Sequence, residues 1–401
     1  MIKTRILSAR WLLLAPLSNL VRNVRTALIS GMNQVYRLSR SQPVRSMSSR
    51  PDDVLTEVIN NSGVITLNRP RALNSLTEAM ITIVLEKLQE WENRVQSIVI
   101  RGSGEKAFCA GGDILAGTSG SPTSCQHAKD LFRKEYTMNY TISQYTKPYV
   151  ALIDGITMGG GVGISVHGKY RVATEKTIFA MPETAIGLSP DVGASYFLPR
   201  LEGKLGLYLA LTGQRLKGKD VVKIGFGTHF IESKDVPRLF DAIVNLKNGD
   251  IDSVLRQHTQ DISSHQFSLE AHMGVINQAF SAPTVEEIVK CLEREGSEFS
   301  SATLKLLNKM SPISMKIAKV ELEKGAKMNF KECLQMEYRL AKAALEATSS
   351  PDFYEGVRAL LRDKDRKPKW KPARLEEVTD DMVNKVFMPI SADEELKLCE
   401  T

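Results

Sequence analysis

Three stretches of this chain each place glycine with a polar residue beside an apolar run, a combination suited to handling an acyl carbonyl. The first is Ala107-Phe108-Cys109-Ala110-Gly111-Gly112-Asp113. The second is Gly155-Ile156-Thr157-Met158-Gly159-Gly160-Gly161-Val162-Gly163. The third runs from 181 to 193 and contains Pro182-Glu183 and Pro190-Asp191. Glycine pairs leave backbone N–H groups bare, and two such groups from different segments can converge on one oxygen. That is the design of an oxyanion hole, where one lost donor typically raises the barrier by about 2.7–4 kcal/mol. Taken singly, each Gly-Gly is equally a tight turn, and a glutamate after proline is usually an exposed turn residue.

Other patterns carry less. Gly102-Ser103-Gly104-Glu105-Lys106-Ala107 fits a dinucleotide fingerprint but runs into Phe-Cys-Ala-Gly-Gly rather than a long helix, so the required context is missing. Gly163-Ile164-Ser165-Val166-His167-Gly168 has the wrong final spacing for a nucleophile elbow. Ser165 then reads as helix packing and His167 as a loop or core histidine. Cys109 reads as a small buried hydrophobe. The five cysteines form no CxxC pair and the six histidines no HExxH, so neither a disulfide framework nor a metal is called for. The basic run 362–371 reads as a solvated tail.

These segments need strands and helices to bring them together. Residues 54–58 and 64–67 read as strands joined by the turn Asn60-Asn61-Ser62-Gly63. Ser75-Leu76-Thr77-Glu78 reads as a capping box, with Ser75 as the cap. The helix it opens buries Leu76, Met80, Ile83, Val84, Leu88 and Trp91 on one face. Short apolar strands at 97–101 and 149–154 alternate with helical patterns, which argues for an α/β core. Residues 115–126 read as a polar loop, and from about Ser253 the pattern is helical. The organisation expected is a βα core over 51–240 and a mainly helical region over 241–401.

Together the three glycine segments, in this order, resemble the crotonase (enoyl-CoA hydratase/isomerase) superfamily. The resemblance implies a ClpP/crotonase-like fold of repeated ββα units with a helical C-terminal region that often mediates trimer contacts, hence a homo-oligomer. It also implies work on CoA thioesters without a cofactor, CoA being part of the substrate. Amides like those of Gly112 and Gly160 would hold the thioester oxygen. Hydratases usually carry one glutamate two residues after the triple glycine and a second in the Pro-Glu motif. Here the first position is Gly163 and the second Glu183, so two-carboxylate hydration is not expected.

The chain is more similar to the 3-hydroxyisobutyryl-CoA hydrolase branch. Lys147-Pro148-Tyr149-Val150-Ala151-Leu152-Ile153, residues 155–163, Phe179-Ala180-Met181-Pro182-Glu183 and Asp191-Val192-Gly193 carry the match. So do Glu355-Gly356-Val357-Arg358-Ala359-Leu360-Leu361, Asp363-Lys364-Asp365 and Pro368-Lys369-Trp370. By that match Glu135, Gly160, Glu183 and Asp191 are the substrate-site residues. The chain departs from the branch at Ser189, where Phe is frequent, and at Ala194-Ser195, where glycines are common. The implied reaction releases free acid and CoA from 3-hydroxyisobutyryl-CoA, a step in valine breakdown, with the 3-hydroxypropionyl thioester as a second substrate. Glu183 would serve as nucleophile or as general base for water. Asp191 would position the substrate hydroxyl or manage a proton. Glu135 would line the acyl pocket, unless Lys134-Glu135-Tyr136 is a solvated helix face. Two other readings stand beside this one: an isomerase or hydratase using Glu183 alone, and a non-catalytic crotonase-fold scaffold associated with RNA.

Charge bears on that last reading. The chain has 401 residues and a net charge of +7. Residues 1–50 hold one Lys, eight Arg and eight Ser with no Asp or Glu, and residues 51–401 then carry 44 basic against 46 acidic groups. The basic character thus belongs to a leader with the composition of a mitochondrial transit peptide, pointing to the matrix rather than to a nucleic-acid partner. The apolar run 11–17 is far short of the ~20 residues needed to span a bilayer, so no membrane partner is expected.

Overall fold

Successive strands of this protein enter two different sheets, and that alternation builds the site. The computed structural model describes residues 51–118, 122–247 and 250–398; the leader expected over 1–50 lies outside the described residues. The strands are β1 (Val54–Ile59), β2 (Ser62–Leu67), β3 (Ser97–Gly102), β4 (Ala107–Cys109), β5 (Tyr149–Ile153), β6 (Ile156–Met158), β7 (Tyr170–Ala173), β8 (Ile178–Ala180), β9 (Leu216–Lys217) and β10 (His229–Phe230). The larger sheet has the order β1-β2-β3-β5-β7-β10, the smaller β4-β6-β8-β9. From β3 to β8, odd strands join the large sheet and even strands the small one, which is the repeated unit expected from the sequence.

Apart from the β1–β2 hairpin, the large sheet is parallel. Its inner strands β2 and β5 are covered on both faces and buried along their whole length, whereas the edge strand β1 is largely exposed. That is why β5 reads as a continuous apolar run. In the small sheet β4, β6 and β8 run parallel. Their C-terminal ends therefore lie along one edge, the usual location of ligand sites in parallel sheets.

Helix α1 (Glu78–Trp91) buries Met80, Ile81, Val84, Leu88 and Trp91, each contributing about 1.5–3 kcal/mol when fully removed from water. Its cap differs from the expectation. Thr77, not Ser75, is the N-cap and accepts from the Met80 N–H. The reason is that Leu76 remains extended to make a parallel bridge with Gly112, which delays the helix by two residues. The predicted turn is also shorter, because Ser62 and Gly63 already belong to β2. The predicted polar loop 115–126 is interrupted by a 3-10 turn at Ala116–Thr118 and by helix α2 (Pro122–Gln144). A proline suits a first helical turn, where its missing N–H would have no intrahelical acceptor.

Beyond α3 (Gly160–Val166) and α4 (Ala194–Phe197) come α5 (Leu205–Thr212), α6 (Lys219–Lys223), α7 (Val236–Val244) and α8 (Ile251–His258). Then follow α9 (Met273–Ala279), α10 (Val285–Glu295), α11 (Glu298–Leu307), α12 (Pro312–Gly325), α13 (Phe330–Leu345), α14 (Asp352–Val357) and α15 (Asp380–Val386). Helices α9 to α14 share the main hydrophobic core with the sheets, while α15 packs on α12 and α13 in two smaller clusters. Tyr208 of α5, for example, meets Phe280 and Phe299 edge-on and tilted. No helix among the described residues is long and apolar enough to cross a membrane.

Candidate active site

The three glycine segments leave the C-terminal ends of β4, β6 and β8, so the parallel small sheet is what gathers them. After β4, the Gly111–Asp113 loop is fixed from outside. The Leu76 N–H donates to the Gly111 carbonyl (2.8 Å) and the Asp113 N–H to the Leu76 carbonyl (2.7 Å). The Gly112 N–H takes no part in that bridge. Arg69, 6% exposed, pairs with Asp113 at 2.9 Å. Asn74, fully buried, donates to the Ala107 carbonyl at 2.9 Å.

After β6 the triple glycine has separate reasons at each position. Gly159 has φ 48° and ψ −121°, backbone that side-chain-bearing residues rarely adopt. A Cβ on Gly161 would lie 2.0 Å from the Cys109 carbonyl oxygen, so α3 can approach β4 only without one. A Cβ on Gly160 would lie 2.2 Å from Glu135 Oε1 and 3.2 Å from the Gly112 nitrogen. Gly160 and Gly112 thus meet at one place, with the Glu135 carboxyl beside them. As the first residue of α3, Gly160 has an N–H with no intrahelical acceptor.

After β8, Pro182 precedes a 3-10 turn, Glu183–Ile186, closed by Gly187 in left-handed backbone. Glu183 is 5% exposed, and its Oε2 has no partner among the described residues. Its other oxygen lies 3.0 Å from where a Cβ on Gly159 would stand. Burial, and then the neighbouring Asp191, raise its pKa well above the usual carboxylate range. A carboxyl so placed is poised for acid–base or nucleophilic work.

Glu135 and Asp191 complete the group. Glu135 lies on the buried side of α2, with Oε1 unpartnered among the described residues. Burial first and Asp191 second raise its pKa. The solvated-face reading fits Lys134 instead, which turns outward to Glu78 at 2.7 Å. Asp191 is buried and accepts from the Tyr136 hydroxyl at 2.6 Å. Burial pushes its pKa up to about 6, with the Tyr136 bond pulling the other way. Gly112, Gly160, Glu135 and Glu183 are brought into one locus, and Asp191 stands near enough to raise the pKa of both glutamates.

Position 163 explains the missing hydratase acid. A Cβ there would lie 2.7 Å from Val192 Cβ and 2.8 Å from Asn139 Nδ2, so no glutamate fits. The carboxyl near the glycine amides comes from α2 instead. Ser165 donates to the Gly161 and Val162 carbonyls inside the core, and Cys109 is fully buried, as their sequence contexts suggested.

Sequence reasoning missed Tyr136 and two buried glutamates, Glu321 on α12 and Glu337 on α13. Burial raises both carboxyls, Glu337 to about 8. A signal existed for Glu337: it sits in the apolar stripe Cys333, Leu334, Met336, Tyr338, Leu340, Ala341, so helical spacing turns it inward. No group of three or more His, Cys, Asp or Glu among the described residues is arranged to hold a metal ion.

Known proteins share this architecture. A protein-family model described as enoyl-CoA hydratase/isomerase matches residues 62–387. A Homo sapiens protein named 3-hydroxyisobutyryl-CoA hydrolase, mitochondrial, is 50% identical over 378 residues, covering 92% of this chain and 97% of its own. The Gallus gallus protein of the same name is 49% identical over 354 residues, covering 86% and 91%. Among solved structures, a carnitinyl-CoA dehydratase from Mycobacterium thermoresistibile superposes with a TM-score of 0.80 at 36% identity, covering 86% of this chain and 98% of that one. With the alternating two-sheet topology and the glycine-lined carboxylate site, these matches show that the chain belongs to the enoyl-CoA hydratase/isomerase family.

Proposed function

We propose that this protein hydrolyses 3-hydroxyisobutyryl-CoA to 3-hydroxyisobutyrate and free CoA in mitochondria. The observation that carries the reaction type is Glu183, a buried carboxyl with one oxygen unpartnered among the described residues. It stands beside the two glycine amides, at a site where position 163 is closed to a second hydratase acid. The names of the relatives at about 50% identity support the substrate and the compartment. The Arg-rich, acid-free composition of residues 1–50 supports the compartment too.

The Gly112 and Gly160 N–H groups take the thioester oxygen and bear the charge that grows on it during attack. Glu183 then attacks the carbonyl carbon to form a mixed anhydride that water opens, or takes a proton from water as it attacks. In both routes the C–S bond breaks and the CoA sulfur leaves as thiolate and is protonated. Tyr136 occupies one oxygen of Asp191, leaving the other for the substrate's 3-hydroxyl, and Glu135 walls the acyl pocket. The 3-hydroxypropionyl thioester lacks one methyl group, a difference such a pocket weighs at only about 1–3 kcal/mol, so it is a second substrate.

The test is release of CoA thiol from 3-hydroxyisobutyryl-CoA by the purified protein and by Glu183→Gln. Release that falls by at least about 10³-fold in the variant is the expected result. A folded protein that migrates a double bond without freeing thiol would overturn the reading in favour of an isomerase. Turnover in ¹⁸O-water separates the two routes: the label enters the Glu183 carboxyl only if an anhydride forms.

A further inference from the structure

Behind Asp191 the backbone takes a conformation that its own side chain resists. Val192 is β-branched yet has φ 55°, an outlier for such a residue, and Gly193 follows at φ 87°. Backbone of this kind persists only where its surroundings over-determine it.

Two side chains do so here. The His167 ring bonds the Val192 carbonyl oxygen through Nε2 at 2.7 Å. Burial holds the His167 pKa down at about 4, so the neutral ring donates from that nitrogen. The second is Glu337, 1% exposed. Its Oε2 accepts from the Gly193 N–H at 2.7 Å, and its Oε1 accepts from the Ser195 N–H at 2.9 Å and the Ser195 hydroxyl at 2.6 Å. Three donors therefore converge on one carboxyl from the segment just after Asp191. The Ser195 hydroxyl adds a side-chain donor to the two backbone donors of the clamp.

We propose that Glu337 is a positioning residue for the hydrolysis: by clamping the Gly193–Ser195 backbone it holds Val192 in left-handed backbone and so aims the Asp191 carboxyl at the substrate. This rests on the reading of Asp191 as the acid that faces the substrate hydroxyl. Protonated or ionised, both Glu337 oxygens can accept a backbone N–H. The amide nitrogen of a glutamine cannot, so Glu337→Gln turns one attraction into a donor–donor repulsion while keeping the volume. Simple packing would tolerate that change.

The experiment measures kcat and KM for CoA release from 3-hydroxyisobutyryl-CoA by the full-length protein, Glu337→Gln, Val192→Gly and the double variant. Glu337→Gln is expected to lower kcat by about 10–100-fold with KM changed less than about threefold, as for a displaced catalytic group. Adding Val192→Gly is expected to recover about tenfold of that loss, because glycine adopts left-handed backbone without a clamp. A Glu337→Gln protein with wild-type kcat overturns the proposal, and so does a loss that Val192→Gly leaves unrecovered. Should Glu337→Gln fail to fold, Ser195→Gly keeps the backbone donors and removes only the hydroxyl. A fall in kcat of about threefold at constant KM is then expected, and no fall overturns the proposal. Wild-type protein that frees no CoA at all defeats the hydrolase reading itself and this one with it.

Discussion

Placing an alanine at Gly163 probes how tightly the turn behind Asp191 is set. The new Cβ would stand 2.7 Å from Val192 Cβ and 3.0 Å from its Cγ1, with Asn139 Nδ2 at 2.8 Å. Carbon atoms pack at about 3.5–4.0 Å, so Val192 has to retreat by about 1 Å. It has little freedom to do so. Its carbonyl is bound to His167, and the next amide is bound to Glu337. Overpacking of this kind costs about 1–3 kcal/mol. Exchanging glycine for alanine inside α3 returns roughly 0.5–1 kcal/mol of helix propensity. The expected net loss of stability is therefore small, about 0–2.5 kcal/mol by these two principles. The catalytic loss should be larger, because displacing a positioned group by about 1 Å costs on the order of 10²-fold. CoA-release kinetics and urea unfolding of the same preparation separate the two effects. An alanine variant that keeps kcat within about threefold, or gains stability from its helix, would refute the claim that position 163 is closed by Val192. A variant carrying glutamate there, the hydratase residue, should for the same reason show no hydration of an enoyl-CoA.

Two further outcomes follow from the buried carboxyls. Tyr136→Phe removes the hydroxyl that donates to Asp191 at 2.6 Å. That bond favours the ionised acid, so the acidic limb of the kcat/KM profile should move up by about one pH unit; an unmoved limb would detach Asp191 from catalysis. Stability should also depend on pH in a set direction. Glu337 holds its proton up to about 8, above the ordinary carboxylate range, so the folded state binds more protons than the unfolded one and loses stability as pH rises. Asp191 does the same up to about 6. His167, held at about 4 from an ordinary 6.5, acts in the opposite sense as pH falls below 6.5 and is silent above it. Between pH 6.5 and 8, Glu337 alone implies a fall of roughly 1.5–2 kcal/mol, measurable by urea unfolding without CoA. Flat or rising stability across that window would contradict so costly a burial.

The strand positions were legible because β2, β3 and β5 each hold a short apolar run, at 64–65, 98–100 and 149–153, and α1 because its apolar residues recur at helical spacing. The glycine clusters were legible as runs of glycine, and Gly159 answers a local demand in its dihedrals, but Gly160 and Gly161 answer close approaches from Glu135 and Cys109 that the sequence alone does not show. Where the reading slipped, a distant partner intervened. Ser75 has the chemistry of a cap, but Leu76 pairs with Gly112 and hands the cap to Thr77. Residues 115–126 are polar like a loop, yet Pro122 opens a long helix. Glu135 could not be oriented from Lys134-Glu135-Tyr136 alone, since both faces of α2 offer polar residues; the close approach to Gly160 decides it.

By itself the sequence determined the alternation of strands and helices, the backbone freedom at the glycine turns, and the separation of a basic leader from a near-neutral body. All are consequences of composition, or of interactions within a few residues. Only the tertiary structure decided that the ends of β4, β6 and β8 share one edge, that α2 supplies the carboxyl which Gly163 cannot, and that Glu337 holds the turn after Asp191. Glu337 and Ser195 are 142 positions apart in the chain, and no periodicity in the sequence reaches that far. Their meeting is fixed by how the helices close over the sheets, where a buried donor or acceptor left without a partner costs about 1–3 kcal/mol.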